Sequence, residues 1–278
     1  MPTTAQVTAF ERNVLAAANE FAEYATNREV LFNFIKNVPV VGTSYSTVVK
    51  PIAAANTATS QGSRISGSFT SGTRVTLVPT ECNNGLEPVY YIDFRTCNPK
   101  EVAKRIVTGS YRKANMDVQG MFAGLEDGGG TSGAAITLDG LEAAKFVVEA
   151  NGGDDQQLVA VMQSSDYNKL LTATRASGSI AAANQIVQTG EFPEIFGMKI
   201  VRVNNCWATT ASGNHDIAVL HPEALIVGIA VDEEEGITGG VDIRVLDAPD
   251  YNCVYVTSSW QYAIAEYKGL LGVKISVK

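Results

Sequence analysis

A chain of 278 residues can bury a sizeable core as one large domain or two modest ones, and its 45% apolar and 18% charged residues exclude intrinsic disorder. The net charge of −8 argues against sequence-specific nucleic-acid recognition, which draws on a basic balance. No apolar run reaches the roughly 18 residues that a membrane-spanning helix needs.

The charged share lies below the usual quarter or so, which leans toward buried subunit contacts, since interface cores are depleted in charge. The first residues, MPTTAQVTAFERN, lack the basic start and apolar stretch of a secretory signal, so the expected place of folding is a cytoplasm. Cys82, Cys97, Cys206 and Cys253 lie far apart without a C-x-x-C pair, and in that compartment they are expected as free thiols.

From Thr4 to Val38 the chain reads as helical. Phe10, Val14, Ala17, Phe21 and Tyr24 recur at three- and four-residue spacing, and Val30, Leu31, Phe34 and Ile35 resume the stripe after a break at Asn27. Pro39 ends the segment, because proline restrains its predecessor and cannot donate to a helix. Between Val40 and Gly72, Thr, Ser, Ala and Gly dominate, and a long extended connection is expected. Thr73–Pro79 and Glu87–Phe94 then read as a hairpin around Cys82–Asn83–Asn84–Gly85, since Asn-Gly tolerates positive φ. Asn98 caps a helix with Pro99 in its first turn, reaching about Tyr111.

After the Gly-rich stretch Gly128–Gly133, Thr137 caps a second helix, with Gly140 an early blemish. Leu141, Ala144, Phe146, Val147 and Val148 carry its apolar positions to Ala150, and Asn151–Gly152–Gly153 stop it. The apolar run Leu158–Met162 precedes a helix that starts at Ser164–Ser165–Asp166 and places Tyr167, Leu170, Leu171 and Ala173 on one side. A second apolar run, Met198–Val203, follows Gly197. Then come a strand at Ile217–Leu220, a turn at His221–Pro222, a helix or strand over Glu223–Val231 and an acidic loop at Asp232–Glu235. Strands are expected at Val241–Leu246, Val254–Thr257 and Gly272–Val277, and Trp260–Tyr267 is ambiguous between types.

Chemistry is hard to find in this pattern. With only His215 and His221, a three-histidine metal site is excluded. His215, in a Gly/Asn-rich loop, reads as solvated, and His221 before Pro222 reads as structural. The segments GGGTSG at 128–133 and GSFTSG at 67–72 lack the Lys-Ser/Thr ending of a phosphate loop and read as flexible loops. No G-x-S-x-G elbow and no H-E-x-x-H occurs. Asp232–Glu235 lacks the alternating ligands and mid-loop glycine of a calcium loop. No catalytic, cofactor-binding or metal-ligating residue is nominated, and no enzymatic activity is expected.

The order of elements, with the segments ITLDGLEAAKFVVEANGG, LVAVMQSSDYNKLL, EFPEIFGMKIVRVNN, IAVLHPEAL and GLLGVKISVK, resembles the tailed-bacteriophage major capsid proteins of the Hong Kong 97 type. The resemblance covers most of the chain and rests on element order, most specifically over 137–225, rather than on an invariant motif. It implies an α+β fold with an N-terminal arm (1–54), an extended hairpin or E-loop reaching over a neighbour (55–97), a peripheral domain whose long spine helix is 138–150 (98–154), an axial domain (155–250) and a return strand of the peripheral domain (251–278). It implies self-assembly into hexamers and pentamers of an icosahedral shell around double-stranded DNA, in a virion assembled in the host cytoplasm. A portal, a scaffolding protein and a decoration protein are the partners it suggests, with no cofactor and no membrane. A separate scaffolding protein is expected because no charged helical prosequence precedes the arm.

Some relatives join subunits through an isopeptide bond from an E-loop lysine, but this chain has no lysine between Gly62 and Arg95, so no such crosslink is expected. Cys82, near the expected hairpin tip, is expected as a free thiol rather than an intersubunit disulfide. The alternatives are an encapsulin-like bacterial nanocompartment, which would need a pocket for a cargo peptide, and a soluble α/β enzyme with its site in the 158–221 strands.

Overall fold

Phe10, Val14, Ala17 and Ala18 form the buried stripe of the first helix, α1 (Thr4–Thr26). The computed structural model describes residues 4–26, 30–49, 73–83, 87–128, 135–154, 157–176, 194–203, 214–231 and 240–277; the break expected at Asn27 lies outside them, as do the side chains of Phe21 and Tyr24. The stripe that resumes at Val30 is not a second α-helix. Leu31–Phe34 makes a single 3-10 turn that buries Leu31 and Phe32, and the chain then enters strand β1 (Lys36–Val40). Pro39 therefore lies within a strand rather than ending a helix. β1 is the outermost strand of its sheet, parallel to Leu225–Ala230 (β11), and an edge tolerates the missing donor.

The expected hairpin is also re-paired. Tyr45–Val49 (β2) pairs antiparallel with Thr73–Leu77 (β3), from Tyr45↔Leu77 to Val49↔Thr73. Thr80–Asn83 (β4) and Glu87–Tyr90 (β5) do not return along β3; both run antiparallel to the 14-residue strand Cys253–Glu266 (β13). Asn83 opposes Ser259 and Glu87 opposes Val256, so four steps on this side match three on β13. The Asn84–Gly85 turn signal falls in 84–86, outside the described residues. A long strand with an open edge offers a better template than a local turn, and pairing there buries Val89.

The side chain of Asn98 accepts a 3.1 Å bond from the Lys100 amide and starts α2 (Pro99–Gly120). This helix does not stop near Tyr111, because its buried stripe continues through Ala114 and Val118. After the short strand Glu126–Asp127 (β6), Thr137 caps α3 (Leu138–Ala150) by accepting from the Gly140 amide at 3.1 Å. Gly152 takes φ 90° and the Gly153 amide returns to the Val148 carbonyl, closing the helix as its sequence foretold. α3 buries Leu141, Ala144 and Val148, while Phe146 is 57% exposed rather than part of the core. At 13 residues α3 is much shorter than the 22-residue α2, so the long helix of this region is α2 and not the expected 138–150.

Val159–Met162 (β7), α4 (Ser164–Ala176), Glu194–Ile195 (β8), Met198–Arg202 (β9), His215–Leu220 (β10), Asp242–Ala248 (β12) and Gly272–Val277 (β14) complete the chain. The ambiguous 223–231 segment is the fully buried β11, and the ambiguous 260–267 segment is the second half of β13. One mixed sheet runs β6-β14-β10-β7-β9-β8. In the other, β13 is central: Tyr262 pairs with both Ile229 and Thr80, and Cys253 with both Ala248 and Tyr90, so β11 and β12 flank one side and β4 and β5 the other.

Two cores result. Val159 and Val161 of β7, with Ala218 and Leu220 of β10, face the larger core with α1, α2 and β13; Ala160, Met162, Ile217 and Val219 face the smaller one with α3 and α4. This explains the unbroken apolar run in β7, which is buried on both faces. Phe32, Tyr111, Trp260 and Tyr262 stack edgewise in the larger core at centroid separations of 4.9–5.7 Å. Phe32 and Tyr262, for example, are 5.1 Å apart.

Candidate functional site

α4 buries Tyr167, Leu170 and Leu171 as its periodicity requires, but Ala173 is exposed and Asp166 is fully buried. Opposite it, at the start of β10, lies His215. It was expected in a solvated loop, yet it is only 6% exposed, with Nε2 2.6 Å from Asp166 Oδ2. Lys169 Nζ approaches the other carboxylate oxygen at 3.3 Å. A buried carboxylate demands a partner, and His215 supplies it. The signal was present in the sequence: Asp166 occupies the i−4 position to Leu170, a charge on an apolar helix stripe.

A carboxylate–imidazole pair also orients nucleophiles in hydrolases. Here the pair is enclosed, and the hydroxyls mapped nearby serve other bonds: Ser165 donates to Gln163 and Ser276 to Asp216. The arrangement ties α4 to β10. His221 is likewise buried, its Nδ1 accepting from the Glu223 amide at 3.2 Å, and burial lowers its basicity. His221 and Glu223, with Lys268 bonded to Glu223, close the turn between β10 and β11. Among the described residues no three His, Cys, Asp or Glu side chains converge to hold a metal ion, and no helix is long and apolar enough to cross a membrane.

The remaining sequence candidates are dispersed. Cys82 does not sit at a hairpin tip; it is half-buried in β4 opposite Trp260. Cys82, Cys97 and Cys253 are free thiols, and burial raises Cys97, with Asp93 and Glu101 adding to the shift. Cys206, the run Asp232–Glu235, the segment 67–72 and all of 128–133 but Gly128 lie outside the described residues.

What the surface does offer is uncovered strand and apolar area. Around β5, β12 and β13, Tyr90 and Leu246 are about half exposed and Tyr251 stacks on the part-buried Tyr255 at 6.5 Å, whereas Cys253, which pairs with Tyr90, is buried like Val254 and Val256. Tyr251 is 69% exposed and nearby Ile92 86%. The hydroxyl of Tyr91 donates to Asp247, and that bond, with some burial, pushes its pKa up to about 12. The two-stranded ribbon β2–β3 exposes Val48 and carries a polar ladder in which Ser46 Oγ lies 3.1 Å from Thr76 Oγ1. At the β8–β9 turn, Phe196 and Gly197 take φ 53° and 77°, and Phe196 is partly exposed in a conformation that bulky residues avoid. Where exposed apolar side chains are contiguous they mark surfaces that another molecule can cover.

No protein-family model matches the chain, and no curated protein matches it in sequence. Solved structures do match in fold. The capsid of the cyanophage P-SCSP1u is similar at a TM-score of 0.63 and 13% identity, over 90% of this chain and 89% of that one. The capsid of a native GTA particle is similar at 0.64 and 15% identity, over 89% of both chains. A virus-like particle from Pyrococcus furiosus is similar at 0.57 and 12% identity, over 96% of this chain and 98% of that one. The chain therefore has the α+β fold of phage capsid proteins, the Hong Kong 97 type expected from its element order.

Proposed function

We propose that this chain is the major coat protein of a tailed phage or a phage-derived particle, assembling into the hexamers and pentamers of an icosahedral shell around double-stranded DNA. The observation that carries the reading is the end-to-end match, about nine-tenths of each chain, to structures of phage and GTA capsids. Uncovered apolar surface supports it, because closed symmetric assembly buries self-complementary patches between copies. No enzymatic step is assigned, and a scaffolding protein, a portal and a decoration protein remain the partners expected of such a shell.

Of the expected division of labour, the peripheral domain at 98–154 with its return strand at 251–278 and the axial domain at 155–250 are carried over, and the arm is drawn at 1–44 rather than 1–54. The pairing of β2 with β3 supports a second change. The extended loop is assigned to β2, β3 and the residues between them rather than to 55–97, and the spine role passes to α2 on length. Electron microscopy of the expressed protein tests the function: shells or capsomers are expected, and a monodisperse monomer or dimer under all assembly conditions would sink the proposal. An encapsulin-like nanocompartment is the second reading, favoured by the match to the Pyrococcus furiosus particle over nearly all of both chains. Shells that load a tagged cargo protein without portal or genome would support it over the phage coat.

A further inference from the structure

α2 carries five basic and two acidic side chains in a protein whose net charge is −8. The basic residues are not spread evenly. Lys104, Thr108 and Arg112 recur every four residues and so share one face, spaced about 6 Å per step along the axis. With Glu101 and Arg105 they line a shallow hollow of about 270 Å³.

The ion-pair pattern singles out two of them. Lys100 pairs with Glu20, Arg105 with Glu87 and Lys113 with Asp117. Elsewhere among the described residues most lysines and arginines are engaged with an acid, a carbonyl, a hydroxyl or an aromatic ring, such as Lys274 on the Ala123 carbonyl and Arg202 over Tyr167; the exposed Arg12 of α1 is an exception. Lys104 and Arg112 are exposed and have no partner among the described residues, although Glu101 lies in the same hollow.

We infer that this face of α2 is a contact for the phosphate backbone of double-stranded DNA. An ammonium, a guanidinium fork and a hydroxyl in one row are the donor set that grips phosphate oxygens without reading sequence. Duplex DNA presents about one negative charge per 1.7 Å, so a row of roughly 12 Å meets several phosphates. The hollow is lined by Glu101, Lys104, Arg105, Thr108 and Arg112, with no aromatic or aliphatic residue among them. A protein partner's interface core would show the opposite composition, depleted in charge and enriched in aromatics. The source of the DNA rests on the coat-protein reading; the contact itself does not. Lys104 and Arg112 give a chain of net charge −8 a local tether for a polyanionic filament.

The test measures binding of a short fluorescent DNA duplex of arbitrary sequence to unassembled full-length protein by anisotropy, across about 50 to 200 mM salt. Two phosphate contacts contribute a slope of about −1.8 in log K against log salt, so the wild type is expected to lose roughly tenfold more affinity over this range than Lys104→Ala/Arg112→Ala. Lys104→Arg is expected to retain the wild-type slope. An unchanged slope in the double variant overturns the inference. So does equal competition by poly-glutamate, which would mark an acidic protein partner. A double variant that binds DNA normally but no longer forms capsomers would make the row a subunit contact and overturn it too. Because shells are scored separately by microscopy, failure of DNA binding leaves the coat-protein reading standing.

Discussion

Removing His215 is the sharpest test of how the second half of the chain is held together. In His215→Ala the carboxylate of Asp166, with no solvent exposure, loses the imidazole 2.6 Å away. Breaking one side of a buried pair costs about 3–5 kcal/mol when nothing else compensates. Here Lys169 still reaches Asp166 at 3.3 Å, and its side chain is 42% exposed, so it keeps part of the charge neutralised. A loss of about 2–3 kcal/mol is the resulting expectation, the range of a hydrogen bond to a charged group plus residual desolvation. For a chain of this size that corresponds to a fall in Tm of roughly 3–5 °C. The assay is urea unfolding of unassembled subunits, followed by the fluorescence of the chain's two tryptophans, of which Trp260 packs within 4.9–5.7 Å of three other rings. Asp166→Ala and the double variant complete a cycle, in which the double should cost clearly less than the two singles summed. A coupling below about 0.5 kcal/mol, or a His215→Ala variant as stable as wild type, would refute the claim that this pair clamps α4 to β10.

Gly228→Ala is expected to destabilise by about 1–3 kcal/mol and to loosen the base of the β2–β3 ribbon, since a Cβ there would lie 2.8 Å from Val40 Cγ2 and 2.9 Å from Leu77 Cδ1; proteolysis within 45–77 together with urea unfolding reads both effects. Thr137→Ala removes the cap on the Gly140 amide and should cost about 1 kcal/mol by urea unfolding, with Thr137→Ser nearly neutral. Tyr91 has its pKa raised to about 12 in the folded chain against an ordinary value near 10, so its contribution is complete below pH 10 and is lost as pH rises toward 12. Tyr91→Phe should therefore lose less of its urea midpoint between pH 9 and pH 11.5 than wild type does, and parallel curves would contradict this. Denaturing gels of assembled shells in reductant should show only the monomer, since Gly62 to Arg95 holds no lysine and the extended loop at 45–77 holds only Lys50; a ladder would count against it, and its loss in Lys50→Arg would trace the crosslink to that side chain.

Where local chemistry decides, the sequence was legible. Asn98 and Thr137 cap their helices because a side-chain oxygen meets an amide two or three residues on, with no help from the rest of the fold. Asn151–Gly152–Gly153 end α3 for the same kind of reason, since only local φ freedom is needed. The strands at 159–162 and 198–202 follow from short apolar runs bounded by polar turns. The family resemblance drew on the order of such elements, which is why it led to the right fold.

The errors lie where a distant strand or side chain outbid a local preference. Pro39 looked like a helix stop and sits in an edge strand, because β11 offers a parallel partner there. The segments 73–79 and 87–94 looked like each other's partners, yet one pairs back to β2 and the other to β13. Strand pairing is a competition among all edges in the molecule, and alternation within one segment does not record which edge wins. His215 looked solvated because its neighbours are Gly and Asn; a residue forty-nine positions earlier buries it.

The sequence alone determined most of the elements, the caps at Asn98 and Thr137 and the order that points to a shell fold, since each of these depends on the spacing of a few residues. Only the tertiary structure decided which strands pair, that α2 runs on to Gly120, that Asp166 finds His215 and that Lys104 and Arg112 have no acid partner among the described residues. Those outcomes depend on which surfaces meet once the two cores close, and long-range contacts of that kind leave no periodic trace in the chain.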